Sequence, residues 1–182
     1  QVYIDIYASL PNVEIVAFVE THPERLKWIG EKYGVRALFS DTEALLREMV
    51  PDIAAVVTPT KHYSEPVIAC AEAGVPRLKI GFWRFGEGDD YWEVVDGARS
   101  RLEGFVKLSE RYGVQTCYQS HSGPFIGSNC AGLMHLIRDF PPERVGAYPD
   151  VGHLALDGED LPMGLGMIRD YLSIVGITDA FY

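Results

Sequence analysis

The sequence predicts an α/β fold in which parallel strands alternate with helices. Short runs rich in β-branched residues recur along the 182 residues, and nearly every run precedes a stretch with the apolar spacing of a helix. Gly34, Gly74 and Gly113 stand where helical stretches should end. Strands joined by helices run parallel, with right-handed crossovers. An open doubly wound sheet and a closed barrel both fit this alternation.

The first half of the chain predicts three strands and three helices. Ile53–Val57 is a continuous apolar run, which is typical of a strand buried on both faces. Thr21 and Pro23 suit the beginning of a helix, and Ser40 or Asp41 suits the beginning of the next. The predicted elements are the strands Val13–Glu20, Arg36–Phe39 and Ile53–Val57, a helix from Thr21 to Tyr33, a helix from Ser40 or Asp41 to Met49, and a helix from Tyr63 to Ala73.

The second half repeats the alternation. In its longest predicted helix, Val95, Leu102 and Val106 share one side. The predicted elements are the strands Leu78–Phe82, Val114–Tyr118, Val145–Tyr148 and Ile174–Ile177, with the helices Asp89–Tyr112, Ser128–Phe140 and Met163–Leu172. The character of the motifs changes around Gly74–Arg77, so we expect a domain boundary that separates residues 1–76 from residues 77–182.

Composition limits the classes of partner. The net charge is −10 and the sequence pI is about 4.9, which argues against nucleic acid and against an anionic membrane surface. The opening residues resemble neither a signal peptide nor a membrane span, so we expect a cytoplasmic protein. Cys70, Cys117 and Cys130 match no metal-binding spacing and no C-x-x-C pair, which predicts reduced structural thiols.

Two predicted strand ends in the first half carry groups suited to a nucleotide. Ligands of open α/β sheets bind at the carboxyl ends of strands. Glu20 ends the first predicted strand, where a carboxylate can accept hydrogen bonds from both hydroxyls of a ribose. The loop with Thr58, Pro59 and His62 follows the third predicted strand and should lie beside Glu20.

These residues carry a resemblance to a known family. VEIVAFVETHPERLKWIGEKYGV, FSDTEALL and PDIAAVVTPTKHYSEPVIACAEAGV resemble the Rossmann-like NAD(P)-binding domain of the glucose–fructose oxidoreductase/inositol dehydrogenase family, over residues 10–75. The resemblance implies that Glu20 binds the adenosine ribose of NAD(P). It also implies that Thr58, Pro59 and His62 lie near the nicotinamide.

The first half departs from that family in two places. The family's first strand and its glycine-rich phosphate loop would precede Gln1, so the anion site for the pyrophosphate is expected to be absent. Pro76–Lys79 stands where the family's Glu-Lys-Pro catalytic loop is expected, which leaves the catalytic lysine unmatched. A scaffold without a bound cofactor is the alternative interpretation of this half.

The predicted strand ends of the second half are rich in chemistry-bearing residues. Two of these ends are Tyr118–His121 and Asp150–His153, and the other two hold Trp83 with Arg84 and Thr178 with Asp179. In a barrel all such ends meet on one face. Asp and His side chains can bind a divalent ion such as Mn²⁺, Mg²⁺ or Co²⁺, or can transfer a proton beside a sugar carbonyl.

The second half resembles another family. LKIGFWRFGEGDDYWEVVDGARSRLEGFVKLSERYGV, YQSHSGPFIGS, VGAYPDVGHLALDGE and GITDAF resemble the sugar phosphate isomerase/epimerase family of xylose-isomerase-like TIM barrels, over residues 78–179. The resemblance implies strands four to seven of a barrel with their helices. The chain is therefore expected to hold a partial Rossmann-like half followed by a partial TIM-barrel-like half.

The family's site carries over only in part. Asp150 matches a metal ligand and His153 matches a histidine that contacts substrate. Gln119 stands where many members have a glutamate that acts as ligand and base, and Gly176 stands at the position of a histidine ligand. A neutral amide cannot remove a proton, although its oxygen can hold a sugar hydroxyl. We expect His121 and Asp179 to compensate in part.

Three functions follow as hypotheses. The first is a sugar or sugar phosphate isomerase/epimerase, with Gln119, His121 and His153 in the catalytic site and a divalent ion on Asp150. The second is an NAD(P)-dependent sugar or polyol oxidoreductase that uses Glu20 and the loop with Thr58 and His62. The third is a non-catalytic hybrid scaffold. A small sugar is the expected ligand, and a homo-oligomer is expected to cover exposed edges and apolar faces.

Overall fold

The computed structural model describes residues 2–56 and 64–177, and the chain divides into two compact units, Gln1–Val75 and Pro76–Tyr182. We call them unit 1 and unit 2. Every ladder between the strands of the described residues is parallel, and helices connect these strands. This architecture confirms the predicted α/β class. The assignment of separate functions to residues 1–76 and 77–182 stays a prediction.

Unit 1 contains a two-stranded sheet with its helices. Its elements are α1 Val2–Ser9, β1 Phe18–Val19, α2 Pro23–Tyr33, β2 Leu38–Phe39, α3 Thr42–Glu48 and α4 Ser64–Glu72. Phe18 pairs with Leu38 and Val19 with Phe39. Helix α2 ends as predicted at Gly34, whose positive φ of 71° an L side chain would rarely adopt.

The strands of unit 1 are shorter than the sequence predicts. Within the predicted strand Val13–Glu20, only Phe18 and Val19 form a ladder, because β2 offers only two paired residues. Residues 53–56 of the predicted strand Ile53–Val57 are not in a strand, and Ile53 is 67% exposed. Apolar composition alone does not make a strand, since each strand needs the hydrogen bonds of a neighbour.

Unit 2 contains a three-stranded parallel sheet in the order β3-β4-β5. Its elements are β3 Arg77–Ile80, α5 Tyr91–Tyr112, β4 Gln115–Gln119, α6 Cys130–Ile137, β5 Val145–Tyr148, α7 Val151–Leu156, α8 Leu161–Ile168 and a 3₁₀ turn at Arg169–Tyr171. Lys79 aligns with Cys117, which in turn aligns with Gly146. Six of the predicted strand and helix positions thus recur within a few residues, at β3, α5, β4, α6, β5 and α8.

The core of unit 2 lies between one face of this sheet and its helices. Side chains of a strand alternate between the two faces of its sheet, so every second residue of β4 and β5 points to this core. The largest fully buried side chains include Tyr118, Leu102, Leu133, Leu136, Ile137, Leu154 and Ile168. The opposite face of the sheet therefore carries the intervening residues, among them Lys79, Cys117 and Gln119.

Two features of unit 2 differ from the prediction. Residues 174–177 form no strand, and that part of the chain is tied to β5 by the isolated bridges Ala147–Leu172 and Asp150–Gly176. Helix α7 follows β5 directly, because Asp150 caps it by accepting a hydrogen bond from the backbone N–H of His153. The D-x-x-H pattern is therefore the start of a helix as well as a strand end.

Among the described residues, no helix combines the length and the apolar character needed to cross a membrane.

Candidate functional site

The candidate site lies at the carboxyl edge of the unit 2 sheet. Strands β3, β4 and β5 are parallel, so their carboxyl ends meet there. Gln119 ends β4, and Asp150 follows β5 by two residues. Asp150 is 3% exposed and Gln119 is 7% exposed, so both polar side chains are enclosed by protein.

Tyr118 fixes the loops around this edge. Its hydroxyl donates to the carbonyl of Ile126 at 2.5 Å and accepts from the backbone N–H of Trp83 at 3.3 Å. Burial raises the pKa of Tyr118 to about 12, so the phenol keeps its proton. The Trp83 ring stacks on Tyr118 with centroids 5.1 Å apart. Through these contacts Tyr118 holds the loops after β3 and β4 against strand β4, which ends in Gln119.

Gln119 and Asp150 form a buried amide–carboxylate pair. Nε2 of Gln119 donates to Oδ2 of Asp150 at 3.0 Å. The backbone N–H of Asp150 donates to Oγ of Ser120 at 3.0 Å, which holds the two strand ends in register. Oε1 of Gln119 is buried and has no hydrogen-bond partner in the described part of the chain. An acceptor that is buried without a partner is costly, and a ligand hydroxyl could satisfy it.

Two histidines stack beside this pair. The rings of His121 and His153 have centroids 3.8 Å apart and planes inclined by 28°. Nδ1 of His121 lies 2.9 Å from the carbonyl oxygen of Ser122, and Oγ of the same serine lies 2.9 Å from Nδ1 of His153. A carbonyl oxygen only accepts, so Nδ1 of His121 carries the proton. When His121 is neutral, its Nε2 therefore has a free lone pair.

The surroundings of the histidines disfavour positive charge on His153. Burial lowers the pKa of His153, and the neighbouring His121 lowers it further, while the carboxylate of Asp150 acts in the opposite direction. Phe82 and Phe125 pack against His121, with centroids 4.3 Å and 4.8 Å away. Positive charge on His153 is thus disfavoured, and a neutral imidazole can act as a base.

The donors at this edge do not suit a divalent ion. No group of three or more His, Cys, Asp or Glu side chains that could hold a metal was found within residues 2–56 and 64–177. The carboxylate of Asp150 already accepts from the Gln119 amide and from the His153 backbone N–H. The Gln119 position supplies a neutral amide where a second anionic ligand would be needed. Metal binding by Asp150 stays a prediction that this arrangement does not favour.

The cysteines lie outside the site chemistry. Cys70, Cys117 and Cys130 are free and buried. Burial raises the pKa of Cys117 and of Cys130 to about 11, so neither thiol is an activated nucleophile at neutral pH. This state agrees with the structural role that the sequence predicts.

In unit 1, Glu20 lies at the end of β1, as the nucleotide hypothesis requires. Its Oε1 accepts from the backbone N–H of His22 at 3.1 Å, and its Oε2 pairs with Nε of Arg25 at 3.3 Å. The His22 N–H is the main cause that lowers the pKa of Glu20, and Arg25 contributes. The carboxylate is ionised and held at the beginning of α2. The hydroxyls of a ribose would therefore donate to a carboxylate that already accepts from the His22 N–H and pairs with Arg25.

The structure brings together four of the predicted site residues: Gln119, His121, Asp150 and His153. Thr58, Pro59, His62 and Asp179 lie outside the described residues. Sequence reasoning missed Ser122, which bonds both histidines through its carbonyl and its hydroxyl. Its position in the loop after Gln119 was the available signal, although serine in a loop is common.

The sequence of the first half is similar to known oxidoreductases. Residues 1–78 match the model of a family described as the oxidoreductase family, NAD-binding Rossmann fold. D-glucoside 3-dehydrogenase of Escherichia coli is 27% identical over 74 residues, which are 41% of this chain and 21% of that protein. 4-Carboxy-2-hydroxymuconate-6-semialdehyde dehydrogenase of a Sphingobium species is 34% identical over 73 residues, 40% of this chain and 23% of that protein. The matched part thus spans less than a quarter of either relative.

The structure is similar to epimerases. A D-tagatose 3-epimerase-like protein superimposes with a TM-score of 0.58 and 16% identity, over 90% of this chain and 66% of that one. The apo form of 3-keto-D-glucoside 4-epimerase from Escherichia coli superimposes with a TM-score of 0.53 and 16% identity, over 63% of this chain and 48% of that one. At this identity the likeness concerns the fold. The two resemblances predicted from sequence are confirmed.

Proposed function

We propose that this chain is an epimerase or isomerase of keto-sugars that moves a proton on the carbon next to the carbonyl group. The observation that carries this proposal is the stacked pair of His121 and His153, joined by Ser122 and lying beside the buried pair of Gln119 and Asp150. The epimerase-like fold of the solved structures supports it.

The chemistry assigns a role to each residue. Nε2 of neutral His121 takes the proton from the carbon beside the carbonyl, and the electrons of the C–H bond move to form an enolate. Return of a proton from water to the opposite face of that carbon gives the epimer, and the ring of His153, stacked on His121, holds the base in position. Oε1 of Gln119 accepts a hydrogen bond from a sugar hydroxyl and so orients the ring.

The names of the similar proteins suggest the substrate class. Tagatose has its carbonyl at carbon 2, and a 3-keto-glucoside has its carbonyl at carbon 3. The 3-epimerase and the 4-epimerase therefore both invert the carbon next to a carbonyl. Oxidation of a D-glucoside at carbon 3, as in the name of the dehydrogenase relative, would yield a 3-keto-glucoside. We therefore propose 3-keto-glycosides as the first substrates to test.

The test is an epimerisation assay by NMR with methyl 3-keto-D-glucoside. We expect the wild-type protein to convert it, and His121→Asn to lower the rate by about 100-fold or more, since positioned acid–base groups contribute roughly 10²–10⁴-fold. His135→Asn is the matched control, because His135 is an exposed histidine of α6 in the same unit. Equal rates for wild type and His121→Asn would refute the proposed role.

The second candidate is an NAD(P)-dependent sugar oxidoreductase. The observation that favours it is the family match of residues 1–78 together with the carboxylate of Glu20 at the end of β1. Glu20 would hold the adenosine ribose, and the bound nicotinamide would supply hydride transfer.

This candidate predicts measurable binding of the reduced cofactor. Titration with NADH should quench tryptophan fluorescence in the wild type, and Glu20→Ala should weaken that binding by about tenfold or more, as expected for a hydrogen bond to a charged group. Glu31→Ala on α2 is the control, since Glu31 is an exposed carboxylate of the same unit. Quenching that is the same in all three proteins would argue against a ribose site at Glu20.

A further inference from the structure

The site described above lacks a positive group for the oxygen that becomes negative when a proton leaves the neighbouring carbon. Removal of that proton places charge on the carbonyl oxygen, and stabilising such an oxyanion is a large part of catalysis in this class of reaction. The two histidines are needed for the proton. A cationic side chain of unit 2 near this edge would meet the charge.

Lys79 lies on the correct face of the sheet. It aligns with Cys117, and Gln119 follows two residues later on the same face of β4. The Lys79 side chain extends toward the carboxyl edge, because its Nζ lies over the Phe82 ring at 5.8 Å from the centroid. The same ring packs against His121 at 4.3 Å. The Phe82 ring is therefore a neighbour of both the Lys79 ammonium and the ring of His121.

Charge interactions agree with this placement. Burial lowers the pKa of the Lys79 ammonium, whereas the carboxylate of Asp150 raises it. Lys79 is also one of the groups that lower the pKa of His153. No ion pair within 4.0 Å joins Lys79 to a carboxylate of the described residues. Lys79 is exposed over part of its surface and enclosed over the rest, so a ligand can still reach it from solvent.

We propose that Lys79 is the cationic group of this site, which binds the carbonyl oxygen of a keto-sugar and stabilises the oxyanion of the enolate without a metal ion. This inference rests on the proposed function. The C–H electrons move into the new C=C bond, the carbonyl electrons move to oxygen, and the proton resides on His121 while a proton from water is added to the opposite face of the carbon and the electrons return from oxygen; His121 then releases its proton to solvent. The ammonium keeps its own three protons throughout.

The inference extends to anionic sugars. A sugar acid such as D-gluconate carries a fixed negative charge next to a row of hydroxyls, as the enolate of a keto-sugar does. Lys79 would bind its carboxylate, and Oε1 of Gln119 would accept from a hydroxyl. D-gluconate therefore serves as a binding probe that does not depend on turnover.

The experiment compares wild type, Lys79→Met, Lys79→Arg and the control Lys107→Met, an exposed lysine of α5. All proteins are kept in EDTA. We expect D-gluconate binding, followed by calorimetry, to weaken roughly 10- to 100-fold in Lys79→Met. Lys79→Arg should retain most of the affinity, and Lys107→Met should match the wild type. Unchanged melting curves would show that the variants fold.

A second readout separates this inference from the proposed function. In the epimerisation assay, Lys79→Met should lower kcat by about tenfold or more with a smaller effect on KM, because the charge on oxygen is largest in the transition state. Conversion by Lys79→Met at the wild-type rate would overturn the inference while the proposed function stands. No conversion by wild type, with gluconate binding that still depends on Lys79, would overturn the proposed function alone. Gluconate binding that is absent or independent of Lys79 would overturn the inference.

Discussion

The histidine pair sets the chemistry of the site at the scale of single residues. A positive charge on His121 disfavours one on His153, since the ring centroids lie 3.8 Å apart. Ser122 holds one ring nitrogen of each histidine, because its carbonyl accepts from the Nδ1–H of His121 and its hydroxyl bonds Nδ1 of His153. One serine thus orients both rings through two different groups.

Ser122→Ala separates the effect of the serine carbonyl on His121 from the effect of the serine hydroxyl on His153. The carbonyl is retained, so His121 should keep its proton on Nδ1, whereas His153 loses a hydrogen bond worth about 0.5–1.5 kcal/mol. The ¹⁵N shifts of the two rings measure this directly. We expect the Nδ1 shift of His153 to change, because it loses its hydroxyl partner, and the Nδ1–H tautomer of His121 to remain. A changed His121 tautomer would contradict the hydrogen-bond pattern described for this loop.

Glu20 gives unit 1 a pH dependence. Its pKa is lowered in the fold by the N–H of His22 and by Arg25, so the unfolded chain binds a proton at a higher pH than the folded chain does. The stability from this group is therefore present above the ordinary carboxyl pKa and is lost as the pH falls through the lowered value.

Glu20→Gln should remove this dependence. At pH 7 we expect a loss of about 0.5–1 kcal/mol in the free energy of unfolding, discounted for the exposed position of Arg25. At pH 3 the variant and the wild type should differ less. Urea titrations at both pH values, followed through unit 1, measure the difference, and an equal deficit at the two pH values would show that the carboxylate charge plays no part.

At the scale of elements, the ends of helices could be predicted from the sequence, whereas the pairing of strands could not. The cap Asp41 and the terminal Gly34 and Gly113 were predictable, because each acts on its own helix. The strand predicted at Ile53–Val57 is not seen at residues 53–56, because a ladder depends on a distant partner that apolar composition does not report. Helix α7 was missed because Asp150 was interpreted as a strand-end ligand, and the same side chain caps the helix.

The candidate site likewise has features that the sequence predicts and features that it does not. Gln119, His121, Asp150 and His153 were found because parallel strands bring their carboxyl ends together whatever the details of packing. The unpaired Oε1 of Gln119 and the stacking of the two imidazoles depend on side-chain rotamers, which no sequence pattern reports. Lys79 was singled out in the sequence only as a mismatch to a catalytic loop, and its face of the sheet became clear from the register with Cys117.

Helix α6 offers a test of local capping. Oδ1 of Asn129 accepts from the backbone N–H of Gly132 at 2.7 Å, and the N–H of Cys130 donates to Glu159 at 2.9 Å. Asn129→Ala should lower the free energy of unfolding by about 1 kcal/mol, whereas Asn129→Asp should retain the cap. Urea denaturation measures both. A loss as large in Asn129→Asp as in Asn129→Ala would mean that the Oδ1 bond is not the stabilising feature.

The two units carry different resemblances at the scale of the whole molecule. The first 78 residues match an NAD-binding family, and the epimerase-like fold is the one shared with the solved structures. A dehydrogenase that forms a keto-sugar and an epimerase that acts on one are consecutive kinds of reaction. The two candidate functions are therefore compatible in one protein.

Hydrogen exchange can assign each ligand to its unit. We expect NADH to slow amide exchange around residues 20–25, and a 3-keto-glucoside or D-gluconate to slow it around residues 119–123 and 150–156. Peptides from α5 serve as an internal control, since this helix carries none of the proposed site residues. Protection by the sugar in residues 20–25 and none at the carboxyl edge of the unit 2 sheet would place the substrate in the wrong unit.

The most direct test of the central claim is solvent deuterium incorporation. Methyl 3-keto-D-glucoside is incubated with the protein in D₂O and EDTA, and the carbon positions next to the carbonyl are followed by NMR. We predict that the wild type introduces deuterium at one of these carbons faster than buffer does, and that His121→Asn slows this exchange by about 100-fold or more. Exchange at the buffer rate in the wild type, or an unchanged rate in His121→Asn, would contradict proton transfer by the histidine pair.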